Sequence, residues 1–225
     1  MNVPGDATRR DAPRPLCSRP MDTSGASTAP DSNLRLGVVL ASTRQGRRGE
    51  GFARWIHALV AQRSGVDVEL LDLRDYPLAA YSHEKMPLAV ETDYADDAQR
   101  RWSQKVHGLD GYVIVTPEYN HGYPGQLKNA IDHVHLGWWY KPVAFVSYGG
   151  SASGARAVEQ LRNVAVEVRM VPVRSEVNIR LIGLERDGDG PKDPLYSKMA
   201  KGMIDQLLWW AHATKRARAA EPPPP

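Results

Sequence analysis

The sequence predicts an open α/β sheet of five parallel strands, wound in both directions, with strand order 2-1-3-4-5. Three observations predict it. Short apolar runs and helical periodicities alternate five times along the chain. The apolar runs are nearly continuous, as strands covered by helices on both faces require. Three strand-to-helix junctions are rich in glycine, serine or proline, residues that suit tight turns and close backbone approach.

The elements follow in order. LRLGVVL, Leu34 to Leu40, reads as a buried first strand. Between Gly49 and Gln62, Phe52, Ile56, Leu59 and Val60 fall at helical spacing. VDVELLDL, Val66 to Leu73, alternates and reads as the second strand. Asp75 to Thr92 carries Pro77 and Pro87 and reads as a long loop, and Tyr94 to His107 as a helix. GYVIVT, from Gly111, is the third strand, followed by a helix from Pro124 to Gly137. PVAFVSY, Pro142 to Tyr148, is the fourth strand. Gly154 to Val168 places Val158, Leu161 and Ala165 on one helix face, Val171 to Ile179 holds the fifth strand, and Lys192 to Trp210 closes the fold as a helix. Five strands favour this order over a six-stranded dinucleotide fold.

The two ends read as disordered, 1–33 and 214–225, leaving one domain over 34–213. Nine of the 17 prolines lie in these ends. The formal charge is +3; the four Arg and four Asp of the first 33 residues cancel, and the last twelve net +2. That leaves about +1 for the domain, which gives no argument for nucleic acid. Cys17 is the only cysteine, so an intrachain disulfide and a cysteine-based metal site are excluded. No run of 18 apolar residues occurs, so no membrane partner is expected. The expectation is a soluble cytoplasmic protein.

In such sheets ligands sit beyond the carboxyl ends of the strands, where the strand order reverses, here between strands 1 and 3. Three loops therefore carry the functional expectation. ASTRQGRRGEG, Ala41 to Gly51, offers the hydroxyls of Ser42 and Thr43, the charges of Arg44 and Arg47, and backbone at Gly49 and Glu50 where a helix opens. Those features suit an anion such as phosphate. Neither the Walker pattern nor G-x-G-x-x-G is present; a basic, solvated turn is the other reading. TPEYNHGYPGQLKNAIDHV, Thr116 to Val134, breaks at Pro117 and turns at Gly122 and Gly125. It reads as a rigid wall whose backbone can meet the polar edge of a flat heterocycle, with Glu118, Tyr119 and Asn120 beside it. Lys128, Asn129 and Asp132 read equally well as the polar face of the following helix. SYGGSASGARA, Ser147 to Ala157, brings Tyr148, Gly149, Gly150 and Ser151 to the same edge.

Together the three loops resemble the NADPH-dependent FMN reductase family, a flavodoxin-like branch that includes quinone-, chromate- and azo-reducing members. The resemblance spans roughly Leu34 to Ala213. It rests on PEYNHGYPGQLKNAIDH, Pro117 to His133, on Ser42-Thr43-Arg44, and on Tyr148-Gly149-Gly150-Ser151 with Gly154, Arg156 and Ala157. It implies a flavodoxin-like fold, FMN as cofactor and NADPH as hydride donor. Ser42 and Arg44 would hold the phosphate; Pro117, Glu118, Tyr119 and Asn120 would line the ring and ribityl chain; Gly149, Gly150 and Ser151 would meet the pyrimidine side. Arg47 stands where many relatives carry a hydroxyl, and Gly122 where many carry Ser. A ping-pong hydride transfer to a small-molecule electron acceptor is implied, with no catalytic side chain, in a homodimer or homotetramer. A flavin-binding electron carrier and a flavin sensor remain the alternatives.

Weaker signals complete the reading. His133 and His135 form an H-x-H, but residues two apart on a helix do not face each other, so no metal is expected. Tyr81 to Pro87 reads as a lid, an interface or plain surface. Trp138 and Trp139 read as core or interface, and Trp209 and Trp210 suggest an oligomer surface. Arg47 or Arg48 is a candidate for the 2′-phosphate of NADPH.

Overall fold

The computed structural model describes residues 33–89, 94 and 96–224. The expected disordered segment 1–33, with Cys17, lies outside the described residues apart from Asn33, and so does part of the loop expected to end at Thr92.

The chain runs β1 (Leu34–Leu40), α1 (Gly49–Ala61), β2 (Val66–Asp72), α2 (Asp97–His107), β3 (Gly111–Pro117), α3 (Gly125–Asp132), β4 (Pro142–Gly149), α4 (Ala155–Glu167), β5 (Val171–Pro172), β6 (Val177–Arg180), β7 (Arg186–Asp187), β8 (Gly190–Pro191) and α5 (Pro194–Ala220). The strands pair in parallel in the order β2-β1-β3-β4-β5, with β6 also on β4. This is the expected flavodoxin-like order. Alternate residues of β1, β3 and β4 feed two cores. Leu36, Val38 and Leu40 meet Phe52 and Ile56 of α1 and Met203 and Leu207 of α5. Val39, Ile114 and Phe145 meet Trp102 of α2, Leu127 of α3 and Leu161 of α4. Each fully buried side chain of this size contributes about 1.5–3 kcal/mol, so both helix layers are held by the sheet.

The structure corrects several expected boundaries. The fifth strand comes in two pieces. Val171 pairs with Pro142 and Val177 with Val146, so the edge strand uses two residues more than β4 over the same span. The extra backbone is looped out and held by Arg162, which donates to Val173 O at 2.8 Å and Arg174 O at 3.0 Å and pairs with Glu176. The helix expected through Gly137 stops at Asp132, and Leu136–Trp138 forms a short 3-10 turn. Pro124 stands at the cap before α3. Helix α2 starts at Asp97, because Asp96 caps it by accepting from Gln99 N at 2.9 Å.

The largest correction lies at the C-terminus. The helix expected to end at Trp210 continues to Ala220, through the segment expected to be a disordered tail from Thr214. Ala, Lys and Arg are good helix formers. The final turns are also anchored: Lys215 and Arg218 pair with Asp110 at 2.8 and 3.2 Å, and Arg218 donates to Tyr140 O at 2.6 Å. Pro222 follows the last turn.

Candidate functional site at the carboxyl edge of the sheet

Ladder registry places the three loops side by side. Leu40 pairs with Val115, and Pro117 with Tyr148, so the chain leaves β1, β3 and β4 at neighbouring points. Two bonds tie the exits together: Ala41 N donates to Val115 O at 3.0 Å, and Glu118 N to Tyr148 O at 3.2 Å.

In the first loop, Ser42 is fully buried and its Oγ lies 2.8 Å from the Tyr119 hydroxyl. Arg44 is exposed, and its guanidinium makes one long bond, 3.4 Å, to Gly46 O. Arg47 is different. Its fork grips Asp72 at the end of β2, its Nη1 donates to Ser42 O at 2.6 Å, and its Nε donates to Glu50 at 3.0 Å. Burial alone would raise the Asp72 carboxyl; the Arg47 fork and the Arg74 N–H hold it below its ordinary value. Arg47, read from sequence as a charge for an anion, has its donors committed inside the protein, and Glu50 shares that network. Arg74 joins it from the turn after β2, donating to Thr43 O at 3.2 Å and to Arg44 O.

The wall after β3 is a tight hairpin. Tyr119 and Gly122 exchange both backbone bonds, at 2.8 and 3.0 Å, across Asn120 and His121. Both central residues have positive φ, 50° and 71°, as a two-residue turn of this hand requires. The hairpin leaves Tyr119 and Asn120 exposed at the edge. Glu118 points the other way: its side chain is 6 % exposed and is clamped by Arg156 of α4 through Nε at 2.6 Å and through Nη2. Arg156 Nη1 also lies 2.8 Å from His121 Nε2. Glu118 Oε2 is buried with no hydrogen-bond partner.

The third loop folds back on itself. Gly154 has φ +88°, and a Cβ there would lie 2.6 Å from Ser147 Cβ, so no other residue fits. Gly150 and Ser151 stand exposed at the loop crest, while Gly149 is buried and accepts from Leu181 N at 2.8 Å. Tyr148 turns into the core against Phe52, 5.3 Å between ring centres, and burial pushes its phenol up. Its hydroxyl abuts Gly49, where a Cβ would approach within 2.5 Å. Gly49 therefore serves the packing of α1 on Tyr148.

The long segment after β2 is docked on α3. Asn129 donates to Ala79 O at 2.8 Å and accepts from Tyr81 N at 2.8 Å, and His133 Nε2 lies 2.9 Å from Ala79 O. These contacts pin the start of the expected lid, while Met86 farther along is well exposed. His135 Nε2 instead accepts from Trp139 Nε1, so the two histidines serve different partners. Trp138 is core. A cavity of about 280 Å³ lies beside the first loop, lined by Thr43, Arg74, Tyr76, Leu78, Gln126 and Asn129. Arg48 is exposed. Among the described residues no group of three metal-ligating side chains occurs, and no helix is long and apolar enough to cross a membrane.

Sequence reasoning identified the loops and missed what holds them. Asp72 and Arg74 sat unremarked at the end of the second strand. The charged residues Asp72, Arg74 and Asp75, grouped at the end of the second strand, were the available signal.

The donor set fits a phosphate-bearing ligand. The first loop offers the buried hydroxyl of Ser42, the exposed guanidinium of Arg44 and backbone at a helix start. Comparisons with known proteins agree. The family model described as NADPH-dependent FMN reductase matches residues 34–182. An NAD(P)H-dependent FMN reductase of Schizosaccharomyces pombe is 32 % identical, with 76 % of this chain and 78 % of the relative covered. A 2-hydroxy-1,4-benzoquinone reductase of a Burkholderia species is 32 % identical, with 61 % and 73 % covered. Among solved structures, the flavoenzyme NAD(P)H:(acceptor) oxidoreductase FerB of Paracoccus denitrificans shares the fold, with TM-score 0.67 at 23 % identity over 80 % of this chain and 98 % of that one.

Proposed function

The chain belongs to the NADPH-dependent FMN reductase family, and from that premise we propose that it holds FMN across its three strand-end loops. In this reading it passes reducing equivalents from NADPH to a small-molecule acceptor of the quinone or free-flavin class. The observation that carries the proposal is the convergence of Ser42, Arg44 and the Tyr119–Gly122 hairpin on one edge, linked by the Ser42–Tyr119 contact at 2.8 Å. Ser42, Arg44 and the backbone between them hold the phosphate. Pro117, Tyr119, Asn120 and the backbone of Glu118 would supply the wall for the ring, and Gly149, Gly150 and Ser151 would supply polar backbone for its pyrimidine edge. When bound, FMN would supply the hydride-transfer chemistry between NADPH and the acceptor.

The protein's own work is to bind, orient and shield. The hairpin is rigid because both its central residues are locked in the left-handed region and its root is clamped by Glu118–Arg156. Backbone N–H groups of the glycine-rich loop stabilise negative charge at the pyrimidine edge. No side chain is needed as acid, base or nucleophile. NADPH and acceptor use one exposed face in turn, which makes the cycle ping-pong. The name of the Burkholderia relative supports a quinone acceptor. A cytoplasmic setting and a homodimer or homotetramer belong to the same proposal; Trp209, 65 % exposed on α5, supports a covering partner copy.

The test is anaerobic. The protein is loaded with FMN, freed of excess and mixed with NADPH while the visible flavin absorption is followed. Rapid bleaching is expected. Bound flavin that stays yellow favours an electron carrier and overturns the reductase reading. Parallel lines in steady-state plots against both substrates are expected, and intersecting lines rule out the ping-pong cycle.

A further inference from the structure

Three consecutive carbonyls of the first loop each accept from an arginine. Ser42 O takes Arg47 Nη1 at 2.6 Å, Thr43 O takes Arg74 Nε at 3.2 Å, and Arg44 O takes Arg74 Nη2. In a planar trans peptide the N–H points opposite to the C=O of the same unit. Anchoring those three carbonyls therefore turns the N–H groups of Thr43, Arg44 and Gln45 to the other side of the loop. Ser42 Oγ marks that side: the Arg44 N–H donates to it at 3.4 Å, a long bond, and the Tyr119 hydroxyl lies 2.8 Å from it. Successive N–H groups facing one way form an anion-binding concavity.

We propose that Arg74 is a positioning residue for the phosphate of FMN, acting through the loop backbone without touching the ligand. The proposal rests on the FMN reading above. Arg74 is itself held in place. Its own N–H donates to Asp72 Oδ1 at 2.9 Å, the carboxylate that also takes the Arg47 fork, and its Nη1 lies 3.4 Å from Glu50. With its guanidinium donors directed at Thr43 O, Arg44 O and Glu50, it faces the back of the concavity. Two carbonyls of adjacent peptides need a planar fork, which arginine has and lysine lacks. Charge alone is not its role.

Two ligands separate the possibilities, FMN and riboflavin, which differ by the phosphate. Dissociation constants are read by flavin fluorescence titration on the full chain, beside thermal melting without flavin. For Arg74→Lys we expect FMN affinity to fall about tenfold or more, the equivalent of one lost charge-assisted bond, with riboflavin affinity within twofold of the parent. Arg74→Gln, which keeps one donor at shorter reach, is expected to behave likewise and serves if the lysine variant melts early. An Arg74→Lys protein with parental FMN affinity overturns the proposal, since charge then suffices. Equal weakening of FMN and riboflavin also overturns it, because the effect is then general. A parent protein that binds neither flavin overturns the FMN reading itself, and the proposal with it; this is seen before any variant is made.

Discussion

At the carboxyl edge of the sheet, Arg47 and Arg74 give their donors to the carbonyls of Ser42, Thr43 and Arg44. At the amino edge, Lys141 and Arg218 do the same for carbonyls at helix ends and turns. Lys141 Nζ donates to Val106 O and His107 O at 2.9 and 3.0 Å, and Arg218 to Tyr140 O. The chemistry is alike and the consequence is opposite. The anchored carbonyls of Ser42, Thr43 and Arg44 turn the N–H groups of their peptides to the opposite side of the loop. The peptides touched at the amino edge have their N–H groups already bonded within the protein, inside α2 or, for the peptide after Tyr140, from Lys141 N to Trp138 O at 3.3 Å. Cations at the amino edge therefore close α2 and seat α5, and they create no site. Binding capacity follows from which peptides a cation touches, not from the presence of the cation.

The largest effect that tests this contrast is at Asp72. It holds the Arg47 fork and the Arg74 N–H together. Asp72→Ala leaves Arg47, 3 % exposed in its side chain, without its main counter-charge. A loss of about 3 kcal/mol is expected in urea unfolding, together with the loss of FMN affinity. The sign with pH follows from the lowered Asp72 value: its contribution is present at neutral pH and is lost as the pH falls through that lowered value. An Asp72→Ala protein as stable as the parent at pH 7 and flatter in acid by nothing would end the idea that this carboxylate organises the carboxyl edge.

The next effect sharpens the other edge. Lys141 is 6 % exposed, and burial, with Arg218 nearby, pushes its ammonium down to about 7. The unfolded chain keeps a lysine near 10.5, so between those values it binds more protons than the folded one. Stability should then rise with pH over that window. Below pH 7 both states are protonated and the slope vanishes. A gain of about 2 kcal/mol is expected between pH 7 and 9, flattened in Lys141→Met. Equal slopes in both proteins would show that the ammonium stays charged on its two carbonyls throughout.

Much of this architecture was legible because strands report their burial directly. GYVIV and PVAFV are apolar without interruption, and all of their residues are buried in β3 and β4. The wall was legible through the break at Pro117 and the glycine at 122, but its turn falls on Asn120 and His121, and Gly122 closes it by pairing with Tyr119. Three things were not. The split of the fifth strand depends on Arg162 reaching from α4 to carbonyls at Val173 and Arg174, a contact with no periodic trace. The role of Arg47 depends on Asp72, twenty-five residues away along the chain and adjacent only after β1 and β2 pair. The last turns of α5 looked like a basic tail because composition alone does not reveal that Asp110 waits beneath them. In each case a long-range charged contact overrode a local pattern that was correct as far as it went.

The smallest effect concerns that last helix. Arg218 is 18 % exposed in its side chain and meets Asp110 and Tyr140 O. Its removal does not strand Asp110, which keeps Lys215 at 2.8 Å and the Arg35 N–H at 3.0 Å. Arg218→Ala should therefore cost only about 1 kcal/mol, the net worth of a typical hydrogen bond. FMN and riboflavin affinities should both stay at parental values, because nothing at the amino edge turns a peptide toward the ligand. The comparison breaks if Arg218→Ala loosens FMN while leaving riboflavin alone. That pattern requires the phosphate loop to sense α5 from a distance, and the most direct route is α1, which continues the loop along the chain and packs against α5.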